Sequence, residues 1–134
     1  MDPSTLNYPA IVVAALSAFV IGGLWYSPPL FGKGWMKANN FSDDDLKGGS
    51  PALIYGIALL LTLIISFNLA MFLNDPSTTL AWGLTAGILA GIWAAAGLSI
   101  VALFERRPLS YHLINDGYLL VAFGVMGLIL GAWR

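Results

Sequence analysis

The chain has no cysteine and a single histidine among its 134 residues, and its charged side chains number six basic and seven acidic. Without cysteine there is no disulfide, no thiolate metal site and no cysteine nucleophile. With one histidine, the paired-histidine zinc motifs cannot form, and neither a phosphate-binding glycine loop nor a nucleophile elbow is present. A net charge of −1 gives no electrostatic footprint for nucleic acid. These absences remove the common enzyme templates. A non-enzymatic protein with no cofactor and no metal is the expectation.

Charge is missing from long stretches too. Residues 3–32, 48–74, 76–104 and 117–133 carry no charged side chain at all. An apolar helix crosses the hydrocarbon with roughly 20 residues. The first three windows exceed that length and the fourth barely reaches it, because Asp116 intrudes. What fills the windows is apolar: 58% of residues are hydrophobic, and the mean hydropathy is +0.80. A soluble domain of this size would have more apolar surface than one core hides. The chain therefore reads as one membrane domain, 1–134, an all-α integral membrane protein with four transmembrane helices.

The expected spans are 8–27, 51–73, 78–104 and 109–133. Pro9 suits a first helical turn with Asn7 as its cap, and Ser50-Pro51 repeats the device; Pro28-Pro29 and Asn74-Asp75-Pro76 are stops. Helices are the default for such segments, since backbone groups in lipid must be bonded internally. A cleavable signal peptide is not expected, because Met1–Thr5 has no basic region. Lys33, Lys37, Lys47, Arg106 and Arg107 fall on one side of a four-span topology and only Arg134 on the other. By the positive-inside bias, loops 31–50 and 105–108 are cytoplasmic and both termini lie outside.

The segment 31–50 is expected to be a short interfacial helical region. Phe31, Lys33, Trp35 and Lys37 form a candidate headgroup anchor, the lysines four residues apart and so on one face. Two lysines fall short of the about four to eight of a polybasic lipid site. Ser42 before Asp43-Asp44-Asp45 is a capped helix start, and Gly48-Gly49 ends it. A weak echo relates Leu16-Ser17-Ala18 and Gly23-Leu24-Trp25 to Leu84-Thr85-Ala86 and Gly91-Ile92-Trp93, consistent with two tandem helical hairpins.

In lipid, helix association rests on close backbone approach and polar contacts. Gly83, Gly87 and Gly91 make one smooth face, and Gly124, Gly127 and Gly131 another. They serve packing within the chain or contact with another subunit. Asn68 lies deep in the second span as a candidate interhelical amide or substrate contact. His112, Asn115 and Asp116 sit at i, i+3 and i+4 in the fourth span and share a side of it, with Glu105 and Arg106-Arg107 just before. A carboxylate and an imidazole on one face are the elements of a proton relay. At membrane depth an ionisable group is a functional hypothesis. Residues 117–133 rise roughly 26 Å at ~1.5 Å each, which places Asp116 near the inner headgroup boundary. There, pairing with Arg106 or Arg107 is a structural alternative.

Leu24-Trp25-Tyr26-Ser27-Pro28 followed by Phe31-Gly32-Lys33-x-Trp35-Met36 resembles a bacterial family of small four-span membrane proteins, the domain of unknown function numbered seventeen sixty-one. The resemblance continues at Asn7-Tyr8, at His112-Leu113-Ile114-Asn115-Asp116-Gly117-Tyr118 and at Met126-Gly127-x-Ile129-Leu130-Gly131-x-Trp133. It implies a helical protein of the bacterial inner membrane and brings no activity. Two expectations follow. One is a non-catalytic subunit, in the bilayer, that forms a homo-oligomer or serves as accessory or scaffold in a larger membrane complex. The other is a small transporter or proton-coupled permease using the His112, Asn115 and Asp116 face.

Overall fold

The structure, a computed structural model, describes residues 2–134. It is all-helical, with no strand among the described residues: α1 (Tyr8–Trp25), α2 (Gly32–Asn39), α3 (Asp43–Lys47), α4 (Pro51–Phe72), α5 (Leu80–Phe104) and α6 (Leu109–Ala132). α1, α4, α5 and α6 are each long and apolar enough to cross a membrane.

Local chemistry sets the boundaries. The Asn7 side chain accepts from the Ala10 amide, and that of Ser50 from the Leu53 amide, each ahead of a proline in the first turn. The third span starts at Leu80 rather than residue 78. Thr79 is extended and caps the helix by accepting from the Trp82 amide, while the Thr78 hydroxyl turns back to the Leu73 carbonyl. The first span ends at Trp25, because the Ser27 carbonyl is taken by a tight turn, accepting from Leu30 N and Gly32 N. Gly32 is required there, since a Cβ would stand 2.4 Å from the Tyr26 carbonyl oxygen. Arg106, with φ 62, makes the left-handed residue of the α5–α6 turn.

α6 is the hub. It packs most extensively on α5, then on α1, and α2 folds back onto its first turns; α4 leans on α1 and meets α6 more sparingly. The four helices therefore run in the order α5, α6, α1, α4. The core is alanine-rich, with Ala10, Ala14 and Ala18 against Ala122, Phe123 and Met126. Small side chains permit the close backbone approach that lipid-embedded helices use in place of a hydrophobic driving force. α4 is tied to α1 by the buried Ser66, whose hydroxyl donates to the Ile11 carbonyl at 2.8 Å. That contact lies in the second half of α4; residues 51–57 are exposed all round.

The glycine faces meet each other. A Cβ on Gly83 would stand 2.3 Å from the Gly127 carbonyl oxygen, one on Gly127 2.1 Å from that of Gly83, and one on Gly87 2.3 Å from that of Phe123. Gly91 packs on Phe123, Gly131 on Gly83 and the Thr79 carbonyl, and Gly124 receives Ile88 and Leu84. The tandem echo between α1 and α5 has no counterpart in this packing: Gly91 is buried and Trp93 largely exposed, whereas Gly23 meets nothing and Trp25 is half-buried.

The two ends of the molecule differ. The basic end carries α2, α3 and the 105–108 turn. At the termini end, Arg134 donates to the Leu73 and Asp75 carbonyls, Asn7 to the Trp133 carbonyl and Asn74 to the Asp2 carbonyl.

Gly127→Ala is expected to weaken the α5–α6 pairing by about 1–3 kcal/mol, read from reversible unfolding in mixed micelles. Gly97→Ala, whose Cβ would meet nothing within 4 Å, is the control and is expected to be neutral or to gain about 0.5–1 kcal/mol. A second outcome concerns α3. Asp45 accepts from the Ser42 amide and hydroxyl, and these bonds, the amide's first, lower its pKa from the ordinary carboxylate value. A depressed folded pKa contributes stability above the unfolded pKa and loses it as pH falls through the folded one. The Ser42–Asp45 cap should therefore open only below the ordinary carboxylate range, as reported by the amide shifts of the two residues.

Candidate functional site: a polar cluster where α5 meets α6

The glycine contact fixes the register of an antiparallel pair. Gly83 lies level with Gly131, Gly87 with Gly127 and Gly91 with Phe123. Eight residues further along α5 is Ser99, and eight residues back along α6 is Asn115, next to Asp116. Ser99 accordingly reaches the fourth-span polar residues. Its hydroxyl donates to Asp116 Oδ2, and its oxygen lies 2.9 Å from His112 Nδ1. All three side chains are half-buried. Asp116 lies roughly 10 Å into α6, one turn deeper than His112.

Two atoms on the far side of this trio have no partner among the described residues. His112 Nε2 and Asp116 Oδ1 are both buried and unbonded. Most buried polar atoms in proteins are paired with protein or ordered water, and a bare acceptor in a membrane domain is costly. The trio has the composition of a hydrolase triad but not its order. In a triad the histidine stands between serine and carboxylate and takes the hydroxyl proton. Here the serine stands between, with its proton directed to the carboxylate. The arrangement is that of a hydrogen-bonded chain along which a proton can pass.

Of the residues that the sequence groups together, the structure unites His112 and Asp116 and separates the rest. Asn115 turns to the opposite flank of α6, where its Oδ1 accepts from the Tyr26 hydroxyl at 2.6 Å. Glu105 is exposed at the end of α5, 4.0 Å from Arg107 Nε. Asp116 pairs with Ser99, not with Arg106 or Arg107; the Arg107 guanidinium lies over the Tyr111 ring at 5.3 Å, and Tyr111 stands edge-on to His112. Asn68 is exposed and donates to the Ile64 carbonyl of its own helix, near the termini end and remote from the cluster. Among the described residues no three histidine, aspartate or glutamate side chains converge as a metal cage.

Sequence reasoning missed Ser99. The signal was available: once the two glycine faces are set opposite each other, Ser99 is the hydroxyl of α5 that falls level with Asp116. It also left unread how the aromatic block after α1 docks. Trp25 Nε1 donates to the Ile114 carbonyl at 2.9 Å, and its ring fills the space beside Gly117, where a Cβ would stand 2.9 Å away. The Tyr118 hydroxyl donates to the Ala18 carbonyl. Of the proposed anchor, Phe31 stacks on Trp25 and Trp35 meets Tyr26, while Lys33 and Lys37 stay exposed.

A family model described as protein of unknown function (DUF1761) matches residues 9–131. The chain belongs to this family. No curated protein and no solved structure gives a match. The matched range takes in both halves of the docking just described, Trp25-Tyr26 at the end of α1 and Ile114–Tyr118 on α6. A cavity of about 90 Å³ lies at the opposite end of the molecule, bounded by Asn7, Leu73, Asn74 and Arg134. Its polar groups are largely bonded to one another, so it offers less chemistry than the cluster.

Tyr26→Phe removes the bond to Asn115 while keeping the ring contacts. The expected cost is about 0.5–1.5 kcal/mol, and Asn115→Ala should add little to it in a double-mutant cycle.

Proposed function

We propose that this family member is a small proton transporter of the membrane, non-enzymatic, whose His112–Ser99–Asp116 cluster binds and releases a proton. One observation carries the reading: a buried imidazole nitrogen and a buried carboxylate oxygen are left without partners beside a hydroxyl that joins their other sides. Ionisable side chains inside a membrane domain are costly and mark ion and proton pathways. The basic end faces the cytoplasm of a bacterial inner membrane on the positive-inside bias, which puts His112 on the cytoplasmic side of Asp116.

The alternative, a homo-oligomer or an accessory subunit of a larger complex, no longer has the glycine faces to dock with, since α5 and α6 use them on each other. It keeps one supporting observation, the wholly exposed first part of α4, residues 51–57. Extraction in nanodiscs as an assembly well above the 14.3 kDa monomer would favour it; a monomeric particle would count against it.

The proton-transporter reading is tested in vesicles that hold a pH-sensitive dye, with the purified protein reconstituted and a potassium diffusion potential imposed. Proton entry through the wild type should exceed that of protein-free vesicles, and Asp116→Asn should return it to their level with the helix content unchanged. Equal flux in wild type and Asp116→Asn removes the proposal.

A further inference from the structure

We infer that Ser99 is the obligatory link of a proton relay between His112 and Asp116, and that it holds the neutral imidazole in the form protonated on Nδ1. This deepens the proton-binding reading and rests on it. A serine hydroxyl has one hydrogen to give and lone pairs to accept with; an ionised carboxylate only accepts. When Asp116 is ionised, the Ser99 hydrogen therefore goes to Asp116 Oδ2. The Ser99 oxygen is left as an acceptor, and the group facing it at 2.9 Å is His112 Nδ1. That nitrogen must carry a hydrogen. In a neutral ring the other nitrogen is then a bare acceptor, and Nε2 is the one that is buried and unpartnered.

This wiring defines a complete transfer. A proton arriving at Nε2 makes the imidazolium. The Nδ1 hydrogen passes to Ser99 Oγ as the Ser99 hydrogen passes to Asp116 Oδ2. One proton has entered, the serine is again a hydroxyl, the carboxylate has become a neutral acid, and the ring is neutral with its hydrogen on Nε2. The trio begins with one negative charge, gains one positive, and ends uncharged. Displacement is inward by one turn of α6, roughly 6 Å. Reset requires the acid to release its proton and the ring to return to its first form.

Few other groups compete. The α5 helix, Leu80–Phe104, has no charged side chain. The adjoining turn carries Glu105, Arg106 and Arg107; Arg107 Nε lies 4.0 Å from Glu105 without a hydrogen bond, and the guanidinium lies over the ring of Tyr111, which stands against His112. The C-cap of α1 brings the Tyr26 hydroxyl, bonded to Asn115, and against it lies Tyr118 of α6, whose hydroxyl is bonded to the Ala18 carbonyl. α2 brings Lys33 and Lys37, both exposed, and α4 only the exposed Tyr55.

His112 is the chain's one histidine, so its nitrogens can be read directly. The experiment uses the full chain labelled with ¹⁵N-histidine in lipid bilayers, followed by solid-state NMR from acid to alkaline pH. The wild-type ring should be doubly protonated in acid and carry its hydrogen on Nδ1 in alkali. Ser99→Ala should shift the alkaline form to Nε2–H, and Ser99→Thr, which restores a hydroxyl, should keep it on Nδ1. An alkaline wild-type ring protonated on Nε2 overturns the inference, even if proton flux persists; that measurement needs no variant to fold. Proton flux unchanged in Ser99→Ala also overturns it, while leaving Asp116 as the proton site. An Nδ1–H signal lost in Ser99→Ala supports the wiring whatever the vesicles report for Asp116→Asn.

Discussion

The contact on which the rest depends is backbone against backbone. Gly83 and Gly127 each present a carbonyl oxygen where the other's Cβ would be, at 2.3 and 2.1 Å from it. Glycine at both positions lets α5 and α6 approach closely, and close approach is the principal source of helix association in lipid. The consequence reaches to the other end of the pair. Serine has the shortest polar side chain on the α5 face, and it spans the gap to α6 only because the axes are held near each other. A wider crossing would leave Asp116 and His112 facing apolar side chains at a depth where an unpaired ionisable group is expensive.

α6 divides its polar residues between two neighbours. Residues three and four apart lie on one broad side of a helix, yet the one-residue difference between Asn115 and Asp116 is about 100° of rotation. With α5 on one flank and α1 on the other, that angle decides everything: Asp116 and His112 go to Ser99, Asn115 to Tyr26. The α1 flank is then secured by Trp25 on the Ile114 carbonyl and Tyr118 on the Ala18 carbonyl. These bonds bracket the Asp116 turn from the far side and hold α6 in rotation. The Trp25-Tyr26 block, which in the sequence carries only a family resemblance, thereby orients the polar cluster.

The elements were legible because their signals are local. Charge-free windows show where four spans lie, and Asn7, Ser50 and the Ser42–Asp45 box each cap the helix that follows them. Boundaries slipped by about two residues at Thr79 and Trp25, where a side chain or a turn captured a backbone group that the helix would otherwise have used. Part of the site was legible as well: His112 and Asp116 share a face by spacing alone. The partner was not, because Ser99 lies seventeen residues from Asp116 and hydropathy carries no register. Asn68 misled for a related reason. Depth in the sequence of a span says nothing about which way a side chain faces, and this one bonds to its own helix on the exposed side of α4.

A serine between histidine and aspartate also explains why neither needs the arginines nearby. Direct contact between an imidazolium and a carboxylate in a low-dielectric setting would hold the two as a fixed ion pair, with a desolvation cost that good geometry only partly offsets. A neutral hydroxyl keeps them apart yet bonded, so either can lose its charge without the other losing its partner. Arg107, whose guanidinium lies over the Tyr111 ring, forms no ion pair with Asp116. An aspartate paired with arginine would be a strut. This one is bonded to a neutral hydroxyl instead, and the proposed proton site rests on that difference.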